Sequence, residues 1–106
     1  MDIYVVSWAS FDPSDIESSS SGTFSDIFST KRAARKAVMD DIRALAKSDL
    51  DMYDKADRMD ALGATTPAAL AKKMILRDDG HYIVSENECG VLTQYSITKF
   101  DTQYIK

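Results

Sequence analysis

Cysteine, histidine and long apolar runs are scarce in this sequence, and each shortage excludes a class of protein or site. The chain contains one cysteine, Cys89, and one histidine, His81. A single cysteine cannot form an intramolecular disulfide, and any catalytic or metal-binding histidine would have to be His81 alone. No apolar run approaches the roughly 20 residues of a membrane-spanning helix, and no glycine-rich phosphate-binding spacing occurs. We therefore expect neither an integral membrane protein nor a nucleotide-binding loop.

Length and composition predict one small globular domain. Of the 106 residues, 44% are hydrophobic and 28% are charged, which is the usual balance of a folded domain. A chain of this size buries one modest core, and the sequence has no internal repeat or interdomain linker, so residues 1–106 are predicted to form a single domain. The first residues lack the basic segment of a secretory signal, so we expect an intracellular, cytoplasmic protein.

Charge is segregated along the chain, whose net charge is −4. Residues 1–30 contain five acidic side chains and no lysine or arginine. Residues 31–47 contain six basic side chains against two aspartates, and residues 49–60 contain five aspartates against two basic side chains. Nonspecific binding of nucleic acid depends on neutralising phosphates, which the acidic total disfavours. The charge suits a partner with a basic surface better.

The N-terminal segment predicts two strands around a polar loop. Residues 2–9 are rich in β-branched and aromatic side chains, which is typical of a buried strand. Residues 11–22 contain a proline and a run of serines, so we predict a loop whose serines are mobile. Residues 23–28 alternate weakly and predict a second strand, antiparallel to the first.

Residues 31–47 predict the best-defined helix, capped by the hydroxyl of Ser29 or Thr30. Steps of four, four and three residues place apolar side chains on one stripe. This stripe consists of Ala34, Val38, Ile42 and Leu45. Most basic side chains lie opposite, so one face of the helix is expected to be buried and the other solvated.

Two further helices are predicted between this helix and the C-terminal strands. The apolar pattern changes phase at Ser48, which favours a second helix over residues 49–62, although one bent helix through both segments also fits. Thr66 followed by Pro67 predicts the start of a third helix. We expect that helix to extend to the Asp-Asp-Gly sequence at residues 78–80.

The C-terminal segment predicts a hairpin. Residues 81–85 and 90–100 carry strand-forming side chains and are separated by a turn at residues 87–90. Together the segments predict an α+β domain: a small antiparallel sheet of four or five strands with two or three helices packed on one face. We expect residues 91–100 to form an apolar edge strand, which would allow two copies to pair as a homodimer.

No residue pattern points to catalysis. His81 directly follows Asp-Asp-Gly, which is more typical of a surface or turn residue than of a general base. No nucleophile motif surrounds Cys89, which we expect to be half-buried and passive. We therefore predict that the protein is not an enzyme and uses no cofactor. A small enzyme that uses His81 with an acidic partner is the remaining alternative.

The aspartates between residues 49 and 60 do not fit a metal site. A calcium loop that starts at Asp49 would place Tyr53 at its fifth position and Asp54 at its sixth, where an oxygen ligand and a glycine are needed. Acidic and basic side chains spaced i, i+4 favour an ordinary solvated helix instead. We therefore predict no bound metal.

Two charged surfaces are candidates for binding. The first is acidic and consists of Asp12, Asp15, Glu17, Asp26, Asp51, Asp54 and Asp57. The second is a basic face of the helix over residues 31–47, which suits phosphates. This basic face consists of Arg32, Lys36, Arg43 and Lys47. Asp40 interrupts the basic face, so the acidic surface is favoured.

About the first 45 residues resemble a pattern found in small bacteriophage and prophage proteins. A first strand ending near Trp8 and a polar segment precede a second strand that ends in Phe28-Ser29-Thr30-Lys31, and an alanine-rich helix follows. The resemblance covers less than half of the chain. It implies an inhibitor of a host function, of the anti-CRISPR or anti-restriction type, that acts by stoichiometric contact in the bacterial cytoplasm.

The sequence and the resemblance together favour a non-enzymatic acidic binding protein. The resemblance implies that it is phage-encoded and that its partner is a bacterial host defence or nucleic-acid-handling complex with a basic surface. The alternative is a nucleic-acid-binding accessory protein that uses the basic helix face. Direct binding of nucleic acid is the less favoured of the two, and no membrane partner is expected.

Overall fold

A computed structural model describes residues 2–52, 63–64 and 66–101 as a five-stranded antiparallel sheet with two helices, which confirms the predicted α+β class. In chain order the elements are β1 (Asp2–Asp12), β2 (Asp15–Thr23), α1 (Lys31–Asp51), α2 (Pro67–Met74), β3 (Ile75–Asp78), β4 (Tyr82–Glu86) and β5 (Leu92–Asp101). Neither of these helices is both long and apolar enough to cross a membrane.

The sheet has the strand order β2-β1-β5-β4-β3. Its longest ladder joins β1 to β5, from Asp2 opposite Asp101 to Phe11 opposite Leu92. The predicted C-terminal hairpin is confirmed as β4 and β5. β5 is nevertheless a central strand, because β1 and β4 occupy its two sides. The prediction that residues 91–100 form an edge strand is therefore wrong, and the edges are β2 and β3.

β1 and β2 form a hairpin with a tight turn at Pro13 and Ser14. Asp12 stabilises the turn, because its Oδ1 accepts hydrogen bonds from the N–H (2.9 Å) and the hydroxyl (2.7 Å) of Ser14. The predicted loop over residues 11–22 is therefore wrong. Serine is not among the residues that favour strands, but pairing with β1 holds the serine-rich segment extended.

After β2 the chain continues antiparallel to β1 without forming a strand. Phe24 N–H donates to the carbonyl of Val6 (2.9 Å), and Tyr4 and Phe28 exchange two backbone hydrogen bonds. The predicted strand over residues 23–28 is therefore wrong beyond Thr23, the last residue of β2, since the strand pairing of residues 24–28 is reduced to an isolated bridge at Phe28.

Thr30 caps α1, because its Oγ1 accepts a hydrogen bond from Ala33 N–H (3.1 Å). The predicted apolar stripe faces the sheet. Three of its members are fully buried and the last is half-buried, in the order Ala34, Val38, Ile42 and Leu45. Ala46 and Leu50 extend the buried stripe toward the end of the helix.

The predicted break at Ser48 is wrong. α1 continues through Ser48 to Asp51, because Ala46, Asp49 and Leu50 continue its buried face. The rest of the predicted second helix, residues 53–62, lies outside the described residues.

α2 begins as predicted but ends earlier. Thr66 is the cap, its Oγ1 accepting from Ala69 N–H (3.2 Å), and Pro67 occupies the first turn. The helix ends at Met74 rather than near residue 78. The reason is that Ile75 has extended backbone and opens β3, which pairs with β4.

The core lies between the helices and one face of the sheet. Val6, Ile83 and Tyr95 are fully buried on that face. α1 contacts β1 and β5, and α2 packs against α1. β2 extends the sheet beyond the helices, and Ser20 on its helix-facing side is exposed. One part of the helix-facing surface is thus left open.

Thr30→Ala is expected to lower the free energy of unfolding by about 1 kcal/mol, because an N–H in the first turn of α1 loses its acceptor. Ser29→Ala is the matched control and should change the free energy by less than about 0.5 kcal/mol. Urea unfolding followed by circular dichroism measures both variants. Equal losses would contradict the assignment of Thr30 as the cap.

Candidate functional site

An open groove lies between α1 and the part of the sheet that the helices leave uncovered. Its main cavity has a volume of about 460 Å³, and its lining includes Trp8, Ser20, Phe24, Asp41, Leu45 and Tyr95. A second cavity of about 410 Å³ adjoins the first, because Phe24 and Asp41 line both. Asp26 and Asp40 also line the second cavity. We call the two cavities together the α1 groove.

The side chains of the sheet form the floor of the α1 groove, and α1 forms its wall. Strand register determines which side chains lie on the floor. Trp8 lies opposite Tyr95 in β5 and opposite Gly22 in β2, and Ser10 lies opposite Thr93. Side chains alternate along a strand, so Trp8, Ser10 and their β5 partners face the same way. The hydroxyls of Ser10 and Thr93 are hydrogen-bonded at 2.8 Å. Gly22 admits the indole, because a Cβ there would lie 3.1 Å from Cζ2 of Trp8.

A hydrogen bond connects the floor to the wall of the groove. The Tyr95 ring is fully buried, and its hydroxyl donates to Oδ2 of Asp41 on α1 at 2.6 Å. Burial raises the pKa of Tyr95 well above its ordinary value, and the Asp41 carboxylate raises it further, so the hydroxyl remains a donor. Phe24 packs edge-on against Tyr95, with ring centroids 6.3 Å apart. These contacts hold the Asp41 carboxylate where the two cavities meet.

The groove is negatively charged. Three aspartates line it, and no lysine or arginine of the described chain does. Asp40 is paired with Lys36 (2.8 Å) and Arg43 (3.6 Å), and its hydrogen bond from Lys36 holds the pKa of Asp40 below its ordinary value. Asp26 and Asp41 form no ion pair with any described residue. These two carboxylates are therefore available to a cation from outside.

Four described members of the predicted acidic surface lie at one end of the molecule. They are Asp12, Asp15, Glu17 and Asp51, at the β1–β2 turn and at the end of α1. Two contacts bring these segments to the same end. Phe11 pairs with Leu92 just after the β4–β5 turn, and Asp49 Oδ2 accepts a hydrogen bond from Glu88 N–H in that turn (3.3 Å). We call this surface the acidic end.

Asp26 is the described member of the predicted acidic surface that lines the α1 groove. Asp54 and Asp57 lie outside the described residues. Asp41 was not among the predicted site residues and counted only as a negative charge within the basic segment. A local signal was present: Asp41 follows Val38 by three residues, so it lies at the margin of the buried stripe. Its neighbours across the groove could not be inferred in the same way.

The predicted basic face is partly neutralised within the chain. Lys36 and Arg43 both pair with Asp40, whereas Arg32 and Lys47 are exposed and form no ion pair among the described residues. The cationic surface available to a phosphate backbone is therefore smaller than the sequence indicates.

His81 and Cys89 lie at opposite ends of β4 and do not come together. His81 is exposed, as expected of a surface or turn residue. Cys89 is exposed rather than half-buried, because it lies in the β4–β5 turn, so that prediction is wrong. Within the described part of the chain, no three side chains of the metal-binding types converge.

No protein family model matches this chain, and no curated protein or solved structure is significantly similar to it. Its function is therefore inferred from the α1 groove and the acidic end themselves.

Tyr95→Phe is expected to lower the free energy of unfolding by about 1 kcal/mol, because the hydrogen bond to Asp41 is lost. Tyr82→Phe is the control, since the Tyr82 hydroxyl forms no hydrogen bond among the described residues, and its effect should stay below about 0.5 kcal/mol. Urea unfolding measures both. If Tyr95→Phe is as stable as the wild type, the hydrogen bond between Tyr95 and Asp41 contributes nothing to the free energy of unfolding.

Proposed function

We propose that this protein is a non-enzymatic binding protein that holds a basic, partly apolar segment of another protein in the α1 groove. The composition of the groove carries the proposal. Aromatic and aliphatic side chains lie beside two carboxylates that no described cation of the chain neutralises. Apolar side chains of the segment would cover Trp8 and Leu45, while its basic side chains would reach Asp26 and Asp41. Both halves of this contact are favourable only when the partner combines apolar and cationic groups.

The acidic end supports the same partner chemistry. It places further negative charge at the β1–β2 turn and at the end of α1. Charges at such a rim act over about 10 Å at ordinary ionic strength. They raise the association rate of a positively charged partner more than they raise its final affinity. The groove would hold the partner, and the acidic end would attract it.

The positions of the nucleophilic and titratable side chains support a binding function over catalysis. Neither His81 nor Cys89 lines the α1 groove, and the two lie at opposite ends of β4. The Tyr95 hydroxyl is committed to Asp41. The serine and threonine hydroxyls of Ser10 and Thr93 bond to each other and not to a base.

A narrower proposal concerns the identity of the partner. We infer from the resemblance of about the first 45 residues that the protein is phage-encoded and inhibits a bacterial host defence or nucleic-acid-handling complex in the host cytoplasm. Only part of the resembling pattern is retained, because residues 24–28 form no strand. The charge of the α1 groove also supports the inference. A surface of a host complex that holds phosphates is basic, and an acidic groove is complementary to such a surface.

The proposal is tested by isolating a partner and measuring its affinity for variants of the groove. A tagged chain is expressed in bacteria, and a companion retained at low salt is identified and purified. Asp26→Lys combined with Asp41→Asn is expected to weaken binding of that companion by about tenfold or more, as measured by calorimetry. Asp79→Lys reverses a charge between β3 and β4, outside the groove, and should leave the affinity within about twofold.

Equal affinity of the groove variant and the wild type would overturn the groove as the binding site. Retention of nucleic acid that leaves at high salt would favour the accessory-protein alternative. Loss of that retention on replacing the basic face by alanine would establish it. The residues replaced are Arg32, Lys36, Arg43 and Lys47.

A further inference from the structure

We propose that the α1 groove is an arginine-binding site, in which a partner's guanidinium group stacks on the aromatic floor and pairs with Asp41. The proposal deepens the proposed function and rests on it for the source of the arginine. The chemistry of the site rests on the groove alone. The proposal rests on one observation: aromatic rings and a hydrogen-bonded carboxylate line the same cavity.

The floor favours a flat, weakly hydrated cation. Trp8 and Phe24 are half-buried, so each offers ring surface to the cavity. A guanidinium group is planar, stacks on aromatic faces and loses its hydration more readily than an ammonium group. A lysine in the same groove would have to retain water or leave its charge poorly solvated. The groove should therefore prefer arginine to lysine.

The carboxylate is positioned for such a group before any ligand arrives. Oδ2 of Asp41 accepts the Tyr95 hydroxyl at 2.6 Å, which holds the carboxylate beside the floor, and Oδ1 has no hydrogen-bond partner among the described residues. Tyr95 is itself fixed by burial and by its contact with Phe24. Asp26 provides a second carboxylate in the adjoining cavity. The five N–H donors of a guanidinium group can use more than one such acceptor.

The chain contains an internal example of the proposed arrangement. The guanidinium carbon of Arg77 lies 5.2 Å from the centroid of the Tyr82 ring, and Nε of Arg77 is 2.8 Å from Oδ2 of Asp79. One aromatic ring and one carboxylate thus hold an arginine at the other edge of the sheet. The α1 groove offers the same two elements without an arginine from the described chain to fill it.

Trp8 makes the proposal directly measurable, because it is the only tryptophan of the chain and lines the groove. The purified protein is titrated with three blocked tripeptides that have arginine, lysine or citrulline between two glycines. The arginine peptide should change Trp8 fluorescence saturably, with a dissociation constant on the order of 1 mM. The lysine peptide should bind at least about fivefold more weakly. The citrulline peptide, which keeps the shape but not the charge, should not saturate.

A matched pair of variants separates the groove from general negative charge. Asp41→Asn removes the charge but keeps an oxygen acceptor for Tyr95, and it should weaken binding of the arginine peptide by about tenfold. Asp79→Asn makes the same change of charge between β3 and β4, outside the groove and the acidic end, and should alter binding by less than about twofold. Phe24→Leu removes a ring without changing charge and should weaken binding by about threefold. Unfolding curves establish that each variant is folded.

Equal affinity for the arginine and lysine peptides would overturn the proposal, as would equal effects of Asp41→Asn and Asp79→Asn. Backbone amide shifts, followed by NMR in the same titration, decide the outcome if Trp8 emission does not change. A partner that depends on the groove, with no preference for arginine, would overturn the arginine site and keep the proposed function. If the groove prefers the arginine peptide but the partner's affinity does not depend on the groove, the arginine site is kept and the proposed function is overturned.

Discussion

The antiparallel ladder between β1 and β5 is the constraint on which the rest of the structure depends. Ten residue pairs join the two strands, and their register decides which side chains face α1. Val6 and Ile97 form one such pair, and Trp8 and Tyr95 form the next pair on that face. A slip of one residue between the strands would leave the two rings on opposite faces of the sheet. The core and the α1 groove are thus set by the same register.

The groove exists because the sheet is wider than the helices that cover it. α1 contacts β1 and β5, and α2 packs against α1, so β2 adds a strip of surface beyond the two strands on which α1 packs. Gly22 lets the Trp8 indole lie against that strip. One edge of the sheet is polar, because β2 carries the serines, and the other is short, because β3 has four residues. Polar or short edges limit strand pairing between molecules, and the longer apolar strands β1 and β5 are protected inside the sheet.

Electrostatic contacts divide the charges of α1 between internal and external use. Lys36 and Arg43 pair with Asp40, and Arg35 pairs with Asp78 of β3, which holds the pKa of that carboxyl below its ordinary value. Several cations of the helix therefore stabilise the chain itself. Asp41, the neighbour of Asp40, accepts a hydrogen bond from a neutral hydroxyl instead and forms no ion pair among the described residues. Two adjacent aspartates thus have different roles because the helix turns them toward different neighbours.

The sequence by itself determined the local features of this protein. The buried stripe of α1, the Thr66-Pro67 start of α2 and the C-terminal hairpin follow from periodicity, capping and turn residues, which act over a few residues. It also indicated an acidic binding surface, whose predicted members included Asp26 but not Asp41. Only the tertiary structure decided that the serines form a strand, that β5 is central and that aromatic rings meet a carboxylate. The physical reason is long-range pairing: Ser10 and Thr93 are 83 residues apart and Asp41 and Tyr95 are 54 apart, and no local pattern encodes such contacts.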